Sequence, residues 1–224
     1  MEIRRLSHVM SAGGPVYPGD PTLLVEPQAQ IASGDLANTF LLHLFNHYGT
    51  HVDGPRHFNP EGITLAEVPV ERFQFVSVGL LDIPKGPDEV ITAEEIAAAL
   101  PEGQRCDLLM LRTGFEKHRA AEPEFYAGHM PGLSTAAAQA IVDEMPWVGA
   151  VALDTISAGA IAHPEHPVGS HRALCGYGRG DGRFVLIYED VSMAGLTVAP
   201  VRVWGLPILV EGLDSAPVAM VAEV

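Results

Sequence analysis

Apolar runs bounded by proline and glycine dominate the pattern of this chain, and they predict many short strands. Residues 75–83 form a buried strand that ends at a Pro-Lys-Gly-Pro turn. Pro207 lies inside an apolar stretch and indicates an edge strand or two short strands there. Further strands are predicted over residues 107–112, 148–153, 184–188, 201–210 and 218–221.

Two short helices are predicted between these strands. Thr92 and Glu95 have the spacing of a capping box, which predicts a helix over 94–100. A second helix, capped by the hydroxyl of its first or second residue, is predicted over 134–144. The segment 116–131 between the two helices is polar and aromatic, and it predicts a long surface loop.

Few short helices among many strands predict a mixed α/β fold with a β-rich, barrel-like core, rather than a doubly wound Rossmann fold. The chain has 224 residues without an internal repeat or a linker rich in Gly and Ser, so a single domain over residues 1–224 is expected. The sequence contains neither GxGxxG nor GxxxxGK[ST], which indicates that no nucleotide cofactor is used.

Composition and charge narrow the classes of function. Apolar residues make up 47% and charged residues 18% of the chain, which allows a sizeable buried core. The formal net charge of −15, without any Lys/Arg cluster, argues against binding to nucleic acid or to an anionic membrane. Two isolated cysteines, no apolar run near the ~20 residues of a membrane span and no signal-peptide pattern predict a protein of the reducing cytoplasm.

Histidine is the unusual component of the sequence, because four of the ten histidines fall within fifteen positions. Three of them, His47, His51 and His57, share odd parity with Asp53. In an extended segment, side chains of one parity project to the same face, so these four groups can converge. The glycines within the segment disfavour a regular helix.

This cluster has the composition of a metal site. Imidazole and carboxylate ligands suit zinc, manganese or iron(II). The three ligands His47, His51 and Asp53 leave a coordination position for water, whose pKa a divalent ion lowers from 15.7 to about 7. His57 follows the Gly-Pro turn and is predicted to act as an acid/base rather than as a ligand. His43 precedes the cluster on a predicted strand, and we do not include it among the ligands.

The segment 47–58, HYGTHVDGPRHF, resembles the HxGTHxDxPxH signature of the cyclase family of metal-dependent hydrolases, which includes kynurenine formamidases and isatin hydrolases. The likeness extends over most of the chain. PVYPGD at 15–20, PGLS at 131–134, LDTIS at 153–157 and GLDSAP at 212–217 are similar to further elements of that family. The resemblance implies the swivelling β/β/α fold of the family, and it gives the four residues of the cluster the same roles as above.

The resemblance also implies that the site is completed from a distant part of the chain. In the formamidases a later histidine and a strand-end glutamate complete a two-metal site, and His171 and Glu189 best match those positions. Asp53 and Glu189 would bridge the ions, Glu189 would assist the base, and the cofactor would be one or two ions of Zn or Mn. His163 and His166 are competing candidates, because the glycine-rich connection between His171 and Glu189 is longer than in the family.

Other residues are candidates for contact with the substrate. Tyr17 stands where the formamidases place a tryptophan that stacks on an aromatic substrate, so it is predicted to bind the substrate. The segment 115–130, with Phe125 and Tyr126, would supply the rest of an aromatic lid. Asp154 ends a predicted strand, where it either orients a ligand histidine or caps a turn or helix.

The leading hypothesis is a hydrolase that cleaves an amide, cyclic amide or lactone carbonyl, most simply an amidohydrolase acting on the C–N bond of a small aromatic or cyclic substrate. A ring-closing or dehydrating cyclase on the same metal site is an alternative, as is a non-catalytic protein that binds a metal or a small molecule. His57 favours catalysis, because a storage site needs no acid/base beside its ligands. The family likeness also implies a homodimer or homotetramer.

Overall fold

The computed structural model describes residues 2–224, in which thirteen strands and four α-helices form. The strands are β1 (Ile3–Arg5), β2 (Leu24–Ala29), β3 (Thr39–His43), β4 (His51–Asp53), β5 (Gln74–Phe75), β6 (Val78–Asp82), β7 (Val90–Ile91), β8 (Leu108–Arg112), β9 (Gly132–Leu133), β10 (Ala150–Leu153), β11 (Leu186–Glu189), β12 (Arg202–Pro207) and β13 (Ser215–Glu223). The α-helices are α1 (Ala93–Ala99), α2 (Pro123–Gly128), α3 (Thr135–Glu144) and α4 (Glu165–Leu174).

The main sheet has nine strands in the order β5-β12-β13-β4-β11-β10-β8-β6, with β1 added on β13. β4 is antiparallel to both of its neighbours, whereas β11, β10, β8 and β6 are parallel. The two ends of this order, β5 and β6, are separated in the chain by Val76 and Ser77 alone. The sheet therefore curls into a nearly closed barrel, which confirms the predicted mixed α/β fold with a barrel-like core.

Alternation along the strands divides the apolar side chains into two layers. Val52, Leu108 and Leu186 belong to the layer inside the barrel, whereas Leu109 and Ile187 belong to the layer between the sheet and the helices. Because Val52 faces inward, the residues on either side of it in β4 face outward. The polar side chains of β4 thus lie on the helix-covered side of the sheet.

Two predicted helix starts are confirmed by their caps. The Glu95 amide donates to Thr92 Oγ1 over 3.3 Å and the Thr92 amide donates to Glu95 Oε2 over 2.9 Å, which completes the capping box of α1. At α3, Ser134 Oγ accepts a hydrogen bond from the Ala137 amide over 3.0 Å. Short polar side chains therefore fix where both helices begin.

The prediction of a surface loop over 116–131 is wrong. The segment contains α2, and Tyr126 and Met130 within it are fully buried. These side chains form a small separate core with Phe115 and Ile156. Burial of these apolar residues orders a segment that also carries many polar side chains.

The position of Pro207 agrees with the behaviour of proline in sheets. Val203 and Trp204 of β12 pair with β5, whereas the last residues of the strand extend beyond β5 and pair with β13. Pro207 is the final residue of β12, so its missing N–H faces no neighbouring strand among the described residues. The strand remains continuous up to that point.

A two-stranded hairpin of β2 and β3 stands outside the main sheet. Every residue of β3 is exposed, including Phe40 at 52% and Leu42 at 55%. An isolated hairpin of this kind is marginally stable in water. Contact with a further surface would stabilise it by burying its apolar side chains. Within residues 2–224, none of the helices has the length and apolar character that crossing a membrane requires.

Candidate metal centre

Strand β4 supplies the centre of the site. His51 and Asp53 project from the outer face of β4 and are 1% and 0% exposed. The antiparallel register places Glu189 of β11 directly opposite His51, with His51 Nε2 3.2 Å from Glu189 Oε2. Sheet pairing therefore joins two residues that are 138 positions apart in the sequence.

Two turns return the other histidines of the cluster to this face. Before β4, Gly49 adopts a φ of +67°, in the left-handed region that favours glycine, and His47 Nδ1 lies 3.1 Å from Asp53 Oδ1. After β4, a 3₁₀ turn over Pro55–His57 brings His57 Nε2 to 3.7 Å from Asp53 Oδ2. The predicted convergence of the four groups is thus present, although turns rather than one extended strand produce it.

Helix α4 delivers His171. Its Nε2 lies 3.1 Å from Glu189 Oε1 and 3.7 Å from Asp53 Oδ2, while its Nδ1 faces the carbonyl of Pro167 at 2.5 Å. Asn59 holds the end of α4 close by donating to the carbonyl of Gly176 over 3.1 Å. The long connection after α4 therefore does not displace His171 from the site.

The arrangement suits divalent cations. Two groups of side chains have ligand atoms within 4.8 Å of one another, namely His47, Asp53 and His57, and His51, Asp53 and Glu189. Asp53 is common to both groups, in agreement with a bridging carboxylate. The first group places His57, rather than His51, beside His47, so His57 is close enough to a metal to touch it.

Unsatisfied buried atoms indicate whether these residues fit a cation. Both carboxylate oxygens of Asp53 and Nε2 of His51 are buried without a hydrogen-bond partner in residues 2–224. The four nearby histidine nitrogens lie 3.1–3.7 Å from Asp53, but none of them forms a hydrogen bond with it. A buried polar group without a partner costs about 1–3 kcal/mol, and a cation between these atoms would satisfy them. The residues therefore fit a divalent metal.

Asp214 is a site residue that the sequence did not reveal. Its Oδ2 lies 2.7 Å from His57 Nδ1 and 3.5 Å from His47 Nε2. Ser215 Oγ lies 2.9 Å from the same His47 nitrogen, and Asn46 donates to Asp214 Oδ1 over 3.0 Å. A carboxylate on the far nitrogen fixes the orientation and tautomer of a histidine. The family-like GLDSAP segment was the available signal, but its spacing does not disclose this contact.

Charge dominates the protonation of the site. Burial lowers the pKa of His47, but the carboxylates of Asp53 and Asp214 raise it more, to about 10. Burial likewise lowers the pKa of His51 and His171. The neighbouring carboxylates raise it more, so the pKa of both histidines is raised. Burial would raise the pKa of Asp53, but the surrounding histidines hold it well below its usual value. A metal must therefore displace protons from the histidines in order to bind.

This linkage predicts how stability depends on pH. Because the folded pKa of His47 is about 10 against 6.5 for an unperturbed histidine, its contribution is complete below pH 6.5 and is lost as the pH rises toward 10. The lowered pKa of Asp53 has the opposite sign, so its contribution is lost in acid, below about pH 4. We expect chelator-treated protein to melt highest between about pH 4 and 6.5.

A series of melting curves from pH 4 to 10 at constant ionic strength, with and without added Zn²⁺, tests this prediction. The rise in melting temperature caused by Zn²⁺ should grow with pH, because fewer protons compete for the histidines. A stabilisation by Zn²⁺ that is independent of pH would contradict the assignment of protonated histidines.

A cavity of about 310 Å³ opens onto these side chains. Its lining combines polar side chains, which include four histidines and Glu189, with apolar ones. The apolar wall consists of Tyr17, Phe45, Phe58, Ile156, Pro167 and Val168. Phe58 stacks on the ring of His171, with centroids 4.7 Å apart, and packs against the face of that imidazole. Tyr17, the predicted substrate contact, is thus part of the wall.

The predicted aromatic lid is not formed. The cavity lining includes no residue of the segment 115–130. Tyr126 is buried and directs its hydroxyl to Asp190 Oδ1 over 2.9 Å, and Phe125 packs with Tyr17 around the small separate core. The segment therefore supports the Tyr17 side of the cavity from behind instead of covering the opening.

Three other candidates lie outside the site. His163 Nε2 faces the carbonyl of Asp88 at 3.0 Å and His166 packs beside Thr135, so neither competes with His171. Asp154 accepts hydrogen bonds from Thr113 and Gly114, which makes it a turn residue and excludes the alternative that it orients a ligand histidine.

His43, the histidine of the cluster that we left out of the ligand set, lies on the hairpin, 3.3 Å from Glu26. A larger hollow of about 500 Å³ contains none of the predicted site residues. The arginines that line it, Arg72 and Arg183, already donate to backbone carbonyls. The chemistry of the chain is therefore concentrated in the smaller cavity.

Comparison with known proteins identifies the relatives of this chain. The Cyclase family model, described as "Putative cyclase", matches residues 4–160. An uncharacterised protein of Haemophilus influenzae is 35% identical over 109 residues, which cover 49% of this chain and 77% of that protein. A kynurenine formamidase of Paracidovorax citrulli is 35% identical over 95 residues, which cover 42% of this chain and 43% of the formamidase. The match thus spans less than half the length of the formamidase.

A solved structure resembles the whole fold. Isatin hydrolase A from Labrenzia aggregata, bound to benzyl benzoate, superposes with a TM-score of 0.83 at 21% identity. The superposition covers 99% of this chain and 93% of the hydrolase. At this identity the likeness establishes the fold.

Proposed function

Because this chain belongs to the cyclase family, we propose that it is a metal-dependent hydrolase that cleaves an amide, cyclic amide or lactone carbonyl. One observation carries the proposal: buried, unsatisfied ligand atoms of Asp53 and His51 lie next to a cavity that His51 helps to line, beside a histidine that is paired with a carboxylate. The formamidase and the isatin hydrolase among the similar proteins support an amidohydrolase that acts on C–N bonds.

The residues of the site have separate roles in metal binding and in proton transfer. His47, His51 and Asp53 would hold one ion, and His171 and Glu189 would complete a second position that shares Asp53. An ion of Zn or Mn bound there would polarise the substrate carbonyl and make water nucleophilic near neutral pH.

The acid/base step falls to His57. Its Nε2 faces Asp53 and the proposed metal position, whereas its Nδ1 faces Asp214 at 2.7 Å. His57 Nε2 takes a proton from the attacking water and returns it to the leaving nitrogen or oxygen. Asp214 keeps the other ring nitrogen oriented and stabilises the charge that the ring acquires. Glu189 assists this step.

The cavity supports a small, partly apolar substrate. Its volume of about 310 Å³ and its aromatic wall suit an aromatic or cyclic compound whose carbonyl reaches the polar side, and Tyr17 would stack on the ring. A ring-closing cyclase would use the same groups in reverse. A binding protein is the weaker alternative, because a storage site needs no acid/base, and His57, paired with Asp214, suits that role.

The test is elemental analysis of the purified protein combined with an activity screen on formamides, isatins and lactones. We expect one or two equivalents of metal, hydrolysis of at least one class, loss of activity on chelation and recovery on addition of Zn²⁺ or Mn²⁺. Absence of both bound metal and metal-restored activity would overturn the proposal, and net formation of ring-closed products would favour the cyclase.

We also propose that the protein is a homodimer or homotetramer assembled through the β2–β3 hairpin, and that it works in the cytoplasm. Seven apolar side chains between positions 24 and 42 are at least 40% exposed: Leu24, Val25, Ile31, Leu36, Phe40, Leu41 and Leu42. In a chain with a net charge of −15, two copies repel each other least where the surface is apolar and nearly uncharged. The hairpin is such a surface.

Replacing Phe40 and Leu42 together by serine should convert the oligomer to a monomer, because both side chains lie on one face of β3. Light scattering after size-exclusion chromatography measures the mass. The control is Val70→Ser, which alters a side chain that is 66% exposed on the main body. A wild-type monomer at micromolar concentration, or an oligomer that survives both substitutions, would contradict assembly through the hairpin.

A further inference from the structure

An ion pair buried beside the metal ligands has no part in the reaction described above. Asp190 directly follows Glu189, and its φ of +53° lies in the left-handed region that residues other than glycine rarely occupy. Aspartate and asparagine tolerate this region better than other residues, but holding it still costs free energy. The turn after β11 therefore needs contacts that fix it.

The carboxylate of Asp190 makes those contacts. Arg119 donates from Nε to Oδ1 over 2.7 Å and from Nη2 to Oδ2 over 2.6 Å, which is a bidentate pair. The Tyr126 hydroxyl donates to the same Oδ1 over 2.9 Å. Asp190 is 1% exposed, so water does not replace these partners. We call Arg119 and Asp190 the clasp.

The backbone of Asp190 joins two segments that carry the site. Its carbonyl accepts a hydrogen bond over 2.6 Å from Oγ1 of Thr50, the residue before β4. Its amide donates over 2.7 Å to the carbonyl of Thr155, in the loop whose Ala158 amide donates to Glu189 Oε1 over 2.6 Å. A movement of Asp190 would therefore disturb the glutamate and the start of the ligand strand together.

We propose that the clasp is a positioning device that aims the Glu189 carboxylate at the metal. The inference rests on the proposed function, because it assigns to the clasp the orientation of a metal ligand. Arg119 belongs to the segment 115–130, which also backs Tyr17, so the clasp connects the cavity wall to the ligand. Arg119 and Asp190 touch neither the substrate cavity nor the ligand atoms, and they act through Glu189.

The decisive variant removes both charges at once, because breaking a buried pair on one side leaves an unpaired charge that damages folding. In Arg119→Met combined with Asp190→Asn, asparagine still fits the left-handed turn. We expect this double variant to unfold cooperatively and to bind Zn²⁺ about 10–100-fold more weakly than wild type in a competition titration with a chromophoric chelator. Its kcat should fall by more than its KM changes.

Two further variants serve as comparisons for the double variant. Arg119→Lys keeps the charge but donates from a single point instead of a planar fork, and it should give a smaller loss of Zn²⁺ affinity. Arg179→Met is the matched control, because Arg179 also forms a bidentate pair, with Asp181, but on the surface and outside the site. The control should bind Zn²⁺ as wild type does.

The outcomes separate the two proposals. A wild-type protein that neither binds metal nor hydrolyses any substrate refutes the proposed function. Wild-type binding and turnover, together with a folded double variant whose Zn²⁺ affinity and kcat stay within about twofold of wild type, refute the clasp. If the double variant does not fold, Arg119→Lys decides, and unchanged affinity and kcat in that variant overturn the inference.

Discussion

Replacing Asp53 by asparagine is expected to abolish stoichiometric metal binding and to lower kcat by a factor on the order of 10³ or more. Asp53 is the one residue shared by both groups of ligand atoms, and four histidine nitrogens lie within 3.7 Å of its oxygens. The amide has the same shape but carries no charge and offers a single acceptor oxygen. Elemental analysis and steady-state kinetics on the substrate found in the screen measure the two effects.

The control for this variant is Asp154→Asn. Asp154 is equally buried, but it holds a turn by accepting hydrogen bonds from Thr113 and Gly114. We expect the control to lose stability and to keep its metal, which separates damage to the fold from damage to the site. If Asp53→Asn retained a full complement of metal and normal turnover, the central position of Asp53 would be wrong.

Replacing His57 by glutamine is expected to lower kcat by about 10²–10⁴-fold while at least one metal ion remains bound. Glutamine can still form hydrogen bonds but cannot transfer a proton at neutral pH. His57 is not among the residues proposed to hold metal, and His51, Asp53 and Glu189 lie close enough together to keep an ion without it. Metal content, kcat and the pH profile of kcat/KM are the measurements.

A second variant tests how His57 is oriented. Asp214→Asn removes the charge that lies 2.7 Å from His57 Nδ1, and it should reduce kcat less than His57→Gln does. If His57→Gln emptied the site of metal altogether, His57 would be a ligand rather than the proton carrier.

The sequence predicted the part of the site that lies close together in the chain. The alternation of His51, Val52 and Asp53 is a local pattern with a direct structural meaning, and the Gly-Pro turn after it was predicted correctly. The caps at Thr92 and Ser134 are equally local. Asp214 was not predicted, because its contact with His57 depends on how β13 pairs with β4, which no local spacing reveals.

Helix α4, which carries His171, was not predicted from local patterns. The segment contains Pro164, Pro167 and Gly169, which favour a loop. Pro164 precedes the helix and Pro167 lies in its first turn, where a missing N–H is tolerated. A Cβ at Gly169 would lie 2.1 Å from Thr135 Oγ1, so the glycine permits the close approach of α4 to α3. Tertiary packing therefore decides the helix and the position of its histidine.

The inward-facing Val52 has a consequence for how the site can change. A slip of β4 by one residue would exchange the two faces of the strand, so valine would replace the ligands and an imidazole or carboxylate would enter the closed apolar interior. A single-residue insertion or deletion in β4 would therefore abolish metal binding and destabilise the barrel together. Substitutions in the loops can reshape the cavity wall. The register of β4, however, fixes the positions of the metal-site residues and of the core residues together.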